Sequence, residues 1–273
     1  EYDLKENTYE LIFRDSRVDI TAVASSLDDG PYGIRLDNGK PEYLYLSEPN
    51  RLKNLHLKFY EAFPAQETMI TSHSKDYSRA VGIVMADVNP GTYYLMDMEK
   101  NQISPLGRYW SKTSYDSLAE MKVINFMNRY GDEIQSYFTA AVGKKNAPTI
   151  VMPHGGPWAR DYWGFEPTVQ FLAENNFNVI QMNIRGSTGY GYEFGAEVFG
   201  NFEEVLEDIY DGIEFFDAEG LIDKNNLCIY GISYGGYAAT MAPINRPDLF
   251  KCAASDAGLY DMEAQYKRGD IRR

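Results

Sequence analysis

Two patterns of apolar residues divide the 273-residue chain. Up to about residue 116 the apolar positions come in short alternating runs broken by turn clusters. Val18, Ile20, Ala22 and Ala24 alternate with polar neighbours, then Asp28-Asp29-Gly30-Pro31 and Asp37-Asn38-Gly39-Lys40 supply turns, and Tyr43-Leu44-Tyr45-Leu46 follows. A period of two marks half-buried strands. Leu55, Leu57 and Phe59 alternate again and predict another strand. A second round holds Ala80 to Met85, the turn Asn89-Pro90-Gly91, and Tyr93 to Met96. Tyr43-Leu44, Leu52 and Leu55 superpose on Tyr94-Leu95, Ile103 and Leu106 at a spacing of about 50 residues, within the range of β-propeller blades. Residues 1–116 therefore predict two blades, with part of a third. Propellers close with at least about four blades, so the region is expected to be either an open β-layer or a piece of something longer. His56 and His73 fall on or beside these strands and are expected to be structural.

From about residue 117 the pattern changes. Met121 to Phe126 and Ile134 to Ala141 flank the turn Arg129-Tyr130-Gly131-Asp132 and predict a hairpin. Strands and helices then alternate: a strand at Thr149 to Met152, a short helix around Val169 to Leu172, a strand at Asn178 to Met182. Asn201 is placed to cap a helix whose apolar face is Val205, Leu206, Ile209, Tyr210, Ile213 and Phe216, closed by Gly220. On that helix Glu203, Glu204, Glu207 and Asp208 fall mainly opposite the apolar face and predict a solvated surface. Strands at Leu227 to Tyr230 and Leu249 to Ala254 complete a series that implies a mostly parallel sheet covered on both sides. Pro243 predicts a kink or an early stop in the helix between them.

Chemistry enters with Gly231-Ile232-Ser233-Tyr234-Gly235, which follows an apolar strand and opens a helix of small residues. This is the pattern of a nucleophile elbow, with Ser233 as the candidate nucleophile. The N–H of Tyr234 and the positive end of the helix would face an oxyanion forming beside it. A second glycine loop, His154-Gly155-Gly156-Pro157, follows the strand at 149–152, and the N–H of Gly156 is the candidate second oxyanion donor. His154 is expected to brace that loop rather than act as the base.

Composition narrows the classes. With 26 Lys and Arg against 40 Asp and Glu the formal charge is −14. Nucleic-acid binding rests on a basic surface, so no nucleic-acid partner is expected. No apolar run approaches the roughly 18 residues of a membrane helix, and no membrane partner is expected. The two cysteines, Cys228 and Cys252, make no disulfide framework and predict buried packing. No Cys/His spacing suggests a metal site, and no cofactor is implied. The chain begins with Glu1, and its compartment is not legible.

The motifs taken together resemble the prolyl oligopeptidase family of serine peptidases, especially its acylaminoacyl-peptidase-like and dipeptidyl-peptidase-like branch. The matching pieces are His154 to Pro157 with Arg160-Asp161, Asn183 to Gly191, Asp208, Gly231 to Tyr237, and Arg246 to Lys251. The resemblance implies an α/β-hydrolase domain in 117–273, preceded in 1–116 by the C-terminal blades of a β-propeller. It implies an acyl-enzyme on Ser233, oxyanion donors at Tyr234 and Gly156, structural roles for Arg185 and Asp208, and an oligopeptide or N-blocked peptide as substrate. In this fold the triad runs Ser, Asp, His along the chain. No histidine follows Ser233, and Asp256 and Asp261 come too early. The resemblance thus places the Asp and His beyond residue 273, with the sheet lacking its last two strands, and implies an inactive fragment. A carboxylic ester hydrolase and a non-catalytic propeller-based binding protein are the alternatives. Assembly into a homo-oligomer is left open.

Overall fold

The computed structural model describes residues 2–3, 5, 7–47, 49–112, 114–198, 201–261, 263 and 267. Glu1 and the tail 268–273 lie outside them. A minimal ladder of β1 (Tyr2–Asp3) and β2 (Thr8–Tyr9) precedes two antiparallel sheets. The first is β3 (Ile20–Ser26), β4 (Gly30–Asn38) and β5 (Lys40–Tyr45), turned at Gly30 and Gly39, both with positive φ. The second is a four-stranded meander of β6 (Glu67–His73), β7 (Arg79–Ala86), β8 (Asn89–Asp97) and β9 (Gln102–Arg108).

Between the two sheets stands a helix where the alternation of Leu55, Leu57 and Phe59 predicts a strand. Helix α1 (Arg51–Ala62) buries Leu55, His56 and Phe59, positions one turn apart, and Leu52 joins them. Its start is fixed by Asn50, whose side chain accepts the N–H of Lys53 at 3.0 Å. Helical spacing wins because that face packs on the meander with Tyr77, Ala80, Val84 and Met96. The ring of Phe59 lies on Gly82, where a Cβ would approach it to 2.3 Å. The 50-residue repeat therefore holds only in part. Tyr43-Leu44 and Tyr94-Leu95 both lie in strands, but Leu52 and Leu55 are helical while Ile103 and Leu106 are in β9.

The second part is a six-stranded sheet. The hairpin of β10 (Met121–Met127) and β11 (Glu133–Thr139) forms one edge. Beyond it run β12 (Thr149–Val151), β13 (Asn178–Met182), β14 (Leu227–Ile232) and β15 (Cys252–Asp256), in the spatial order β10-β11-β13-β12-β14-β15. The last four are mutually parallel, and β11 meets β13 antiparallel. Helices α2 (Pro167–Glu174), α3 (Tyr192–Ala196), α4 (Glu207–Ala218) and α5 (Tyr234–Asn245) connect the parallel strands. The main core joins Ile180, Met182 and Ile229 of the sheet to Ile209, Ile213 and Phe216 of α4 and Ala238 of α5.

Several local expectations are corrected. Asn201 does not cap α4 through its side chain, which donates instead to the carbonyl of Glu197. The helix enters through a 3-10 turn at Glu204–Leu206. Asp208 is fully buried rather than solvated, because Arg185 reaches under the helix to pair with it. Helix α5 runs through Pro243 and ends two residues later. The closing strand begins at Cys252, three residues late. Cys228 and Cys252 are not packed as free thiols but form a disulfide across directly paired positions of β14 and β15.

Candidate active site

Strands β12 and β14 are parallel neighbours, with Val151 opposite Ile229, so the loops leaving their C-terminal ends emerge side by side. Ser233 stands where β14 turns into α5, at φ 60° and ψ −119°. A non-glycine residue held in this region is strained, and such strain is characteristic of functional turns. Its N–H donates to the carbonyl of Asp256 on β15 at 2.9 Å, and its carbonyl accepts from Tyr237 at 3.1 Å. The side chain is partly exposed.

Glycine is needed here because three backbone segments crowd together. A Cβ on Gly235 would sit 2.1 Å from the carbonyl oxygen of Pro153, and one on Gly155 would lie 3.5 Å from the Cβ of Ser233. The His154-Gly155-Gly156 loop thus packs directly against the turn that carries Ser233. Gly156, at φ +125°, takes a conformation that side chains resist. The first N–H groups of α5, including that of Tyr234, are left without intrahelical acceptors at this point. The Tyr234 side chain is buried, and burial raises its phenol pKa.

His154 is engaged on both ring nitrogens. Nδ1 donates to the carbonyl of Gly155 at 2.7 Å, and Nε2 shares a hydrogen bond with Ser187 Oγ at 2.8 Å. It braces the loop against the segment after β13. His56 lies on α1 and His73 on β6, both in the N-terminal part. His56 is buried, with Nδ1 against Tyr45 Oη at 3.0 Å and Nε2 against the Thr68 carbonyl at 2.9 Å. His73 is exposed and stacks on Tyr77.

The other motif residues support these loops. Arg185 Nε donates to both carboxylate oxygens of Asp208 at 3.1 Å, its own N–H adds a third bond, and Asn128 donates to Oδ1. Burial pushes the Asp208 carboxyl above its usual range, and these donors offset part of that rise. Arg160, four residues past Gly156, reaches across to the N-terminal sheets. It donates to the backbone carbonyl of Asp37 at 2.9 Å, to Gln135 at 3.0 Å and to Tyr190 at 2.7 Å. Sequence reasoning did not single out Arg160 as a bridge between the two parts. Its contacts lie 123, 25 and 30 positions away, beyond any local pattern.

Residues 163–272 match the model of the prolyl oligopeptidase family. The chain is 25% identical to dipeptidyl aminopeptidase BIII of Pseudoxanthomonas mexicana over 94% of its own length and 38% of that protein. It is 36% identical to dipeptidyl peptidase family member 6 of Caenorhabditis elegans over 40% of its own length and 15% of that protein. Acylaminoacyl peptidase of Pyrococcus horikoshii shares the fold with a TM-score of 0.65 and 22% identity, over 92% of this chain and 39% of that one. The chain spans well under half the length of these relatives. The six-stranded sheet and the motifs along it are similar to those of the prolyl oligopeptidase family, and the matched stretch 163–272 contains Ser233.

Proposed function

We propose that Ser233 is the nucleophile of a serine peptidase that cleaves oligopeptides or N-blocked peptides through an acyl-enzyme. The observation that carries this reading is the left-handed conformation of Ser233 beside the glycine loop after β12. In the first step Ser233 Oγ attacks the scissile carbonyl carbon while its proton passes to a base. The carbonyl oxygen becomes an oxyanion, stabilised by the N–H groups of Tyr234 and Gly156. The amine leaves with a proton from that base, and water then releases the acid.

The base and its orienting carboxylate are assigned to residues outside these 273. Support comes from the three histidines of the chain: two belong to the N-terminal part, on α1 and β6, and the third is held by Gly155 and Ser187. Using His154 as base would withdraw it from the loop that positions Gly156. The N-terminal strands are read as the last blades of a β-propeller that restricts the site to short peptides. The meander β6 to β9 has the four antiparallel strands of a blade.

The test is an assay of the full-length gene product and of the 273-residue chain on blocked-peptide and short-ester chromogenic substrates, each with Ser233→Ala as control. The full-length protein is expected to cleave the peptides and to lose that activity on substitution. The chain alone is expected to show no turnover beyond its control, since a triad without its base retains only about 10³ to 10⁴ over water. Ester turnover without peptide cleavage would make the protein an esterase. Turnover by the chain alone of order 1 s⁻¹, abolished by Ser233→Ala, would place the base within it.

A further inference from the structure

An open cleft of about 620 Å³ lies beside the glycine loop, lined by Asp19, Trp158, Thr188, Gly189 and Tyr192 among others. Its position relative to Ser233 follows from the chain. Trp158 comes two residues after Gly156, in the loop that touches the Ser233 turn. Thr188 follows Ser187, the hydrogen-bond partner of His154. The cleft is thus joined to the glycine loop through two of its walls.

The walls have a definite chemistry. Tyr192 is 86% exposed and Trp158 40% exposed, so two aromatic side chains present surface to solvent beside a reactive loop. Asp19 comes from the N-terminal part. It is fixed at this junction by its N–H, which donates to Gly189, and by its Oδ2, which accepts the N–H of Gly191 at 3.2 Å. Among the described residues no cation is paired with Asp19, and no Lys or Arg lines the cleft. Arg160 lies behind Gly189, turned toward Asp37, Gln135 and Tyr190. Glu193 follows the lining residue Tyr192 in sequence and adds negative charge, whereas Glu197 is within ion-pair reach of Arg185.

Aromatic faces beside a carboxylate suit a cation. The ring faces attract it through their quadrupoles, and the carboxylate supplies the counter-charge. We propose that this cleft is a specificity subsite for the cationic side chain of a lysine or arginine lying near the scissile bond. The assignment to a peptide substrate rests on the peptidase reading, whereas the recognition of a cation does not.

Binding rather than turnover tests it, so its failure is distinguishable from failure of the peptidase reading. The full-length gene product carrying Ser233→Ala is titrated calorimetrically with Nα-acetyl-arginine amide, its neutral isostere Nα-acetyl-citrulline amide, and glycyl-norleucine amide, which offers only an N-terminal amine. The arginine probe is expected to bind about tenfold more tightly than the citrulline probe, the order that a partly desolvated cation–aromatic contact supports. Asp19→Asn keeps an acceptor for Gly191 while removing the counter-charge, and should reduce that ratio severalfold, leaving the part that the aromatic rings supply. Tyr192→Leu, at an exposed position, should weaken the arginine probe without affecting the folded signal in circular dichroism. Equal binding of the arginine and citrulline probes, or a ratio untouched by Asp19→Asn in folded protein, overturns the proposal. So does tighter binding of the free amine than of the arginine probe, since the cleft would then read chain ends rather than side chains.

Discussion

His56 and Asp208 are both buried titratable groups, and their surroundings treat them in opposite ways. The two ring nitrogens of His56 are satisfied by Tyr45 and Thr68 with no carboxylate in hydrogen-bond contact, and burial lowers its pKa below the ordinary 6.5. A base whose folded pKa is depressed adds stability above the unfolded value and loses it as pH falls through 6.5 toward the folded value. Urea unfolding from about pH 7.5 to about 5 should show this loss, limited to about 1.4 kcal/mol per pH unit for one histidine, and His56→Gln should flatten it. An unchanged slope would contradict a neutral buried imidazole. Asp208 is held by Arg185 and Asn128, and Asp208→Ala would leave the guanidinium buried without its partner. The expected cost is about 3 to 5 kcal/mol in unfolding free energy, typical of breaking such pairs. A loss below about 1 kcal/mol would mean that the pair is solvated. The sequence marked both residues as structural but did not show their partners. The spacing of Asp208 on its helix suggested a surface position, and the residue that buries its charge lies 23 positions upstream.

At the scale of elements, legibility followed the range of the determining contacts. The Ser233 turn and the Gly155-Gly156 loop could be read because their glycine requirements are local, set by a strand end and the first helical turn. The parallel series from residue 149 was legible for the same reason, since each element carried its own period and stop. Helix α1 was not. Leu55, Leu57 and Phe59 fit a period of two while Leu52, Leu55 and Phe59 fit one helical face, and packing of Phe59 on Gly82 decides between them. The disulfide was hidden because the cysteines lie 24 residues apart and meet only through the register of β14 and β15. That bond ties β15 to the strand carrying the turn, and β15 in turn accepts the Ser233 N–H through Asp256. Paired replacement of Cys228 and Cys252 by serine should lower stability by about 2 to 4 kcal/mol. Thiol titration of the denatured, unreduced chain should find no free thiol. Two titratable thiols would contradict the bond.

For the whole molecule, the two halves meet through specific backbone contacts rather than a loose linker. Arg160 bonds to Asp37, Asp19 to Gly189 and Gly191, and Gln170 to the carbonyl of Asp87. The N-terminal part is thereby held against the segments that follow the glycine loop and β13. On the proposed function, Ser233 performs the covalent chemistry with the help of a base outside these 273 residues. The most direct measurement is peptide mass spectrometry of the full-length gene product after treatment with a fluorophosphonate, alongside residual peptidase activity. The account predicts a single adduct on the peptide containing Ser233, with activity lost in proportion to its occupancy and with much slower labelling of the 273-residue chain. Loss of activity while Ser233 remains unmodified, or full activity in Ser233→Ala, would contradict it.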